Sequence, residues 1–156
     1  MVITTCSTAN VERPHHRNRG VSRVKDIVWS DILSVGIDEI DDDHRKLIST
    51  YNELNHAVSH NEPHDYLAAL LEELINCTVW HFSHEERLML KYRYADFEAH
   101  KEEHRELIDS AKEVQEEILQ ARGDITEEHL QILERWLTAH ILTSDMRLGD
   151  YLCQMG

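Results

Sequence analysis

His81 and Glu85 stand four residues apart, and so do His100 and His104. On a helix, positions four apart share a face one turn along. Each pair would therefore aim two metal- or proton-binding groups in the same direction. Both pairs fall within apolar stripes. Leu67, Leu70, Leu74 and Cys77 lead to the first pair and Leu88 follows it, while Phe97 precedes the second and Leu107, Ala111, Val114 and Ile118 follow. A stripe faces the core, where an unpaired imidazole or carboxylate costs on the order of several kcal/mol. A metal ion resolves that cost by taking the same groups as ligands. His44 heads a third stripe of Leu47, Ile48, Tyr51, Leu54 and Val58. His140 closes a fourth, made of Leu130, Leu133, Trp136 and Leu137.

The elements that carry these residues are helices. The chain has 156 residues with only 5 Gly and 2 Pro, too few turn formers for an all-β plan. The 3.6-residue periodicity predicts helices over about 40–60, 63–92 and 96–121, and a fourth that starts with Thr126 as N-cap and Glu128 nearby. Asn61-Glu62-Pro63 and Arg122-Gly123-Asp124 separate them. The fold class is all-α, an up-down-up-down four-helix bundle with an N-terminal apolar arm of Ile27, Val28, Trp29, Ile32 and Leu33. In that topology the start of the first helix, the end of the second, the start of the third and the end of the fourth share one end of the bundle. His44, His81, Glu85, His100, His104, His140 and Asp145 all converge there. Asp145 fits only with a local change of winding. It lies five residues beyond His140, about 140° away on a regular helix, so a π-type bulge is expected around Leu142 to Ser144.

Composition narrows the function. Thirty Asp and Glu against 16 Lys and Arg, for a formal charge of −14, argue against a nucleic-acid partner. No apolar run is long enough to insert in a membrane, and residues 1–10 lack the basic-then-apolar pattern of a signal peptide. Cys6, Cys77 and Cys153 are too few and scattered for a disulfide framework. A cytoplasmic setting is the expectation. Residues 1–26 show no apolar periodicity and carry Arg13, Arg17, Arg19, Arg23 and Lys25 against Glu12 and Asp26. They read as a flexible basic tail, with His15 and His16 solvated, ahead of a bundle domain over 27–156.

The motifs also carry a resemblance. Gly36-Ile-Asp-Glu-Ile-Asp-Asp-Asp-His44, His81-Phe-Ser-His-Glu85-Glu, His100-x-x-x-His104 and Trp136-Leu-x-x-His140-Ile-x-x-x-Asp145 resemble the hemerythrin family, most nearly its single-domain bacterial members, the bacteriohemerythrins. The resemblance implies a non-haem diiron centre. His44, His81, His100, His104 and His140 would be terminal ligands, and Glu85 and Asp145 would bridge two Fe ions together with an oxo or hydroxo group. It also implies reversible O2 binding without catalysis, as an oxygen carrier, store or delivery protein whose recipient would be an oxygen-consuming enzyme. Leu47, Phe82, Trp136, Leu137 and Ile141 match apolar O2-pocket positions of the family, and each equally suits an ordinary core. Two octahedral ions offer about twelve positions; the implied ligands fill all but one, which leaves room for a single end-on diatomic.

Other readings are a diiron oxidase or peroxidase, a nitric-oxide-handling enzyme, an O2 or redox sensor, and an iron buffer. A ferritin-like oxidase needs Glu-x-x-His on two helices, and within the helices only Glu53-x-x-His56 fits, with Glu53 off the stripe. Zinc usually takes about four donors, fewer than converge here. His84, at the edge of the second stripe, reads first as a solvated side chain and second as a support for a ligand. His56, His60 and His64 read as surface, His129 as a cap or surface group at the far end, and Cys77 as a small buried hydrophobe. Trp29 is a candidate cap over the histidine end.

Overall fold

Asp38–Ser59 (α1), His64–Tyr92 (α2), Phe97–Gln120 (α3) and Glu127–His140 (α4) form the four amphipathic rods. In this computed structural model, which describes residues 24–120 and 124–155, every regular element is helical. The fourth rod does not stop at His140. It passes through one π turn, Ile141–Asp145, into α5, Met146–Cys153, and the residues on either side of the turn, His140 and Met146, keep right-handed helical dihedrals. The limits expected for the first two helices and the starts expected for the third and fourth fall within two residues of those observed. Residues 121–123, where the third helix was expected to end, lie outside the described residues.

Local chemistry fixes the element ends. Thr126 caps α4 as expected, and its partner is His129. The Thr126 Oγ1 accepts from the His129 amide (3.3 Å), and His129 Nδ1 accepts from the Thr126 amide (3.2 Å), a capping box. His129 is thus a cap at the far end. α1 has no side-chain cap from Ile37. Instead Asp41, inside its first turns, accepts from the Val35 amide (2.8 Å) and from the Ser34 hydroxyl. This folds the preceding chain back onto the helix, with Gly36 at φ 77° supplying the bend.

The core divides around the histidine layer. One apolar cluster, with Tyr51, Leu54, Leu71 and Leu130 fully or almost fully buried, fills the length of the bundle. A second, containing Val35, Ile40, Met89, Leu148 and Leu152, closes the end beyond the histidines. Along α1 and the fourth rod, His44 and Asp145 fall between residues of the two clusters (Ile40 and Leu47, Ile141 and Leu148).

The arm packs along α1. Asn52 exchanges hydrogen bonds with both the amide and the carbonyl of Ile27 (2.9 Å each), and Asn55 donates to the Val24 carbonyl (3.1 Å) and the Asp26 carboxylate (2.9 Å). Val24 and Ile27 are buried. The packed chain therefore reaches back at least to Val24, into the stretch read as tail, because Asn55 ties down the Val24 carbonyl and the Asp26 carboxylate, contacts that periodicity cannot reveal. The rest of the tail, residues 1–23, lies outside the described residues, as do Cys6, His15 and His16. Trp29 packs on the main cluster beneath the Arg45 guanidinium (4.4 Å); it does not line the space beside the histidines. Asn55→Ala is expected to cost about 1–2 kcal/mol in urea unfolding, because it removes the donor shared by the buried Val24 carbonyl and the Asp26 carboxylate. An unchanged midpoint would show that the arm contributes nothing there.

Candidate metal centre

All seven expected side chains meet at one end of the bundle, and all seven are buried. α1 brings His44, α2 His81 and Glu85, α3 His100 and His104, and the fourth rod His140 and Asp145. The expected change of winding is the π turn Ile141–Asp145, which brings Asp145 round to the face of His140. Their Nε2 and Oδ1 are 3.0 Å apart. Across the turn, Ser144 donates a hydrogen bond to Glu103 on α3, and Arg147 donates to Ser144 Oγ at 3.1 Å.

The two carboxylates stand at the middle. Asp145 Oδ2 is 3.1 Å from His44 Nε2, and its Oδ1 is 3.2 Å from His100 Nε2. Glu85 Oε2 lies 3.1 Å from His104 Nε2, 3.6 Å from His100 Nε2 and 3.8 Å from His81 Nε2. The donors sort into two groups, each with its ligand atoms within 4.8 Å of one another. One is Glu85, His100, His104, His140 and Asp145; the other is His44, His81, Glu85 and Asp145. Only Glu85 and Asp145 belong to both.

The residues present fit a bound cation. Among the described residues, Glu85 Oε1, Asp145 Oδ1 and the Nε2 atoms of His100 and His140 are buried without an aligned hydrogen bond, although Asp145 Oδ1 lies within 3.2 Å of both nitrogens, and buried polar atoms are rarely left so. Burial first, then the negative charge of Asp145, pushes the Glu85 carboxyl well above its usual range. Burial would raise Asp145 too, but His140, His100 and His44 outweigh it and hold that carboxyl well below. Burial also lowers His81, and it takes His104 down to about 2 with help from the charges of His100 and His140. His100 goes the other way. Burial alone would depress it, yet the Asp145 and Glu85 carboxylates carry it up to about 9. The cluster thus offers neutral imidazole lone pairs at His81 and His104 around two crowded carboxylates, a donor set that a hard-to-borderline cation satisfies.

A second layer, unassigned in the sequence, orients the imidazoles. His81 Nδ1 faces Asp43 Oδ2 (3.4 Å), His104 Nδ1 faces Glu86 Oε1 (3.3 Å), and His140 Nδ1 faces Glu103 Oε2 (3.5 Å). Burial would raise the Asp43 carboxyl, but hydrogen bonds from His81 and His84 more than offset it and hold it low. His84 is accordingly not a freely solvated side chain. Its side chain is 16% exposed and donates from Nδ1 to Asp43 Oδ2 at 2.7 Å. The signal available was adjacency, since Asp43 precedes His44 and Glu86 follows Glu85. The partner histidine sits on a different helix in each case, so spacing along the chain did not expose it.

Leu47, Phe82, Trp136, Leu137 and Ile141 line one small cavity of about 10 Å³ against His81, His140 and Asp145, about the room of one water. Leu107, from the α3 stripe, completes its apolar wall. Phe82 also stacks on the His104 ring, with centroids 3.8 Å apart. Cys77 is half-buried and not fully buried, because it opens on a surface groove between α1 and α2. His56 and His60 are exposed and His64 half-buried. No described helix is long and apolar enough to cross a membrane.

Residues 35–152 match the family described as Hemerythrin HHE cation binding domain. The chain is 35% identical over 124 residues to the bacteriohemerythrin of Stenotrophomonas maltophilia (strain R551-3), covering 80% of each chain. It is 32% identical over 124 residues to a hemerythrin-like protein of Naegleria gruberi, covering 80% of this chain and 92% of that one. A crystal structure of wild-type hemerythrin superposes with a TM-score of 0.74 at 28% identity, covering 81% of this chain and 97% of the other.

Proposed function

The chain belongs to the hemerythrin family, and from that premise we propose that it binds O2 reversibly at a diiron centre, as a carrier, store or supplier of oxygen. The observation that carries this reading is the unequal pair of donor groups that share Glu85 and Asp145. Five donors surround one position and four the other. With one further bridging group, a six-coordinate pair is left a single vacancy, on the side of His44 and His81. His81 is also a wall of the apolar cavity, so the open position and that cavity lie together.

Iron bound here would supply the reducing electrons that make O2 a good ligand. The protein's own residues do the rest. His44, His81, His100, His104 and His140 would hold the ions as neutral donors, and Glu85 and Asp145 would bind both at once. Leu47, Phe82, Leu107, Trp136, Leu137 and Ile141 would give the open side an apolar wall that disfavours water. The ionisable walls of the cavity are His81, His140 and Asp145, all within the donor set. A binder is favoured over an oxidase or peroxidase for that reason, since proton delivery to a reacting ligand needs an acid that is not itself holding the metal.

The test is an optical titration of the reduced protein with O2, followed by removal of the gas, with iron counted on the same sample. Two irons per chain and a visible band that appears and then disappears support the reading. A band that decays once to the ferric form and does not return with fresh O2 would overturn reversible binding in favour of oxidase or redox-sensing chemistry. His104→Ala, which removes one donor of the five-donor group, is expected to lose iron and the coloured species together. Full iron content in that variant would remove His104 from the ligands.

A further inference from the structure

We propose that Asp43 is the positioning residue of the two-histidine half of the centre, and that His84 and Glu39 hold it in place. The inference rests on the two-ion reading above and asks what orients the ligands of each half. A ligand imidazole is aimed at a metal by the hydrogen bond its other nitrogen makes. In the five-donor half, His104 has Glu86 and His140 has Glu103 for this purpose. In the four-donor half, His44 Nδ1 is buried and has no hydrogen-bond partner among the described residues. His81 Nδ1 has Asp43. The orientation of that half therefore depends on one carboxylate.

Asp43 is built for the role. Its side chain is 13% exposed, against 26% for Glu86 and 41% for Glu103, so its hydrogen bonds are the least screened of the three. Its Oδ2 accepts from both His81 (3.4 Å) and His84 (2.7 Å). The far nitrogen of His84, Nε2, lies 3.2 Å from Glu39 Oε2. Glu39 and Asp43 are one turn apart on α1, and His81 and His84 nearly so on α2. The four side chains thus form a ladder across the α1–α2 seam that runs from the buried ligand to the surface. The shorter bond to His84 locates the carboxylate, and the located carboxylate then fixes the ring of His81 with Nε2 toward Glu85.

The test uses the full chain, depleted of metal and titrated with Co2+ by visible absorption, with the metal-free fold checked by circular dichroism. The wild type is expected to bind in two steps, and His44→Ala identifies the step of the four-donor half by abolishing it. Asp43→Ala is expected to weaken that step by about 10- to 100-fold and leave the other unchanged. Glu86→Ala should do the reverse. Asp43→Asn, which keeps an acceptor, should recover part of the loss, and His84→Phe should weaken the same step as Asp43→Ala by a smaller factor. Equal weakening of both steps by Asp43→Ala and by His84→Phe, or no change in either variant, would overturn the assignment. A wild type that binds one Co2+ would overturn the two-ion premise and the assignment with it.

Discussion

Glu85→Gln is expected to empty both metal positions and, at the same time, to raise the melting temperature of the metal-free protein. The two effects have one cause. Glu85 is fully buried and belongs to both donor groups, so an amide in its place removes a charged donor from each group. Without metal the same carboxylate is a liability, because burial and the nearby Asp145 push its pKa above the ordinary value. The sign follows from linkage. An acid whose pKa is higher folded than unfolded binds more protons in the folded state, so stability falls as pH rises from the unfolded pKa toward the raised folded one. At pH 7 the strain is present; near pH 4 it is largely absent, since both states are protonated. A neutral glutamine should therefore stabilise the metal-free protein by on the order of 2 kcal/mol at pH 7, roughly 4–8 °C for a chain of this size. Near pH 4 it should change little. Calorimetry in chelator at the two pH values, with metal analysis of the same variant, measures both effects. A variant that keeps two equivalents of metal, or melts lower than wild type at pH 7, would refute the argument.

Glu85 also marks where the sequence was informative. Its place on the α2 stripe, one turn from His81, put a charge where a core residue belonged, and the same logic found His100 and His104. Convergence of the seven groups then followed from topology, since antiparallel helices bring alternate ends together. The π turn was legible for a similar reason, because the five-residue gap from His140 to Asp145 is incompatible with a regular helix if both face inward. Asp43 and His84 were not legible as a pair. Their contact depends on the relative rotation of α1 and α2, which periodicity leaves undetermined by tens of degrees. The reach of the arm back to Val24 escaped for a different reason. It is held by Asn52 and Asn55 through backbone groups, and backbone groups carry no sequence signal. Periodicity makes Leu107 a stripe residue, and only the packing of α3 on the fourth rod gives it a place in the cavity wall.

Gly149 is the position at which a conventional expectation should fail most clearly. It lies inside α5, where replacing glycine with alanine ordinarily gains up to about 1 kcal/mol. Here an added Cβ would stand 2.2 Å from the Val35 carbonyl oxygen and 2.8 Å from the Val35 Cβ. The oxygen is backbone, and the Val35 amide is tied to Asp41 on α1, so the neighbour cannot rotate aside as a long side chain would. The helix must move instead. α5 continues directly from the π turn, and Gly149 lies one turn beyond Asp145 on the same rod. A displacement of α5 away from Val35 therefore pulls on the carboxylate that both donor groups share. Gly149→Ala is expected to lose about 3 kcal/mol, a fall of roughly 6–12 °C in melting temperature, and to hold metal less tightly against a chelator. The two readouts separate the possibilities. A rise in melting temperature would mean that the ordinary helix preference wins and the contact with Val35 yields. A fall with unchanged metal retention would mean that the π turn absorbs the movement, leaving Asp145 held from the α3 side by the Glu103, Ser144 and Arg147 contacts and not by the packing of α5.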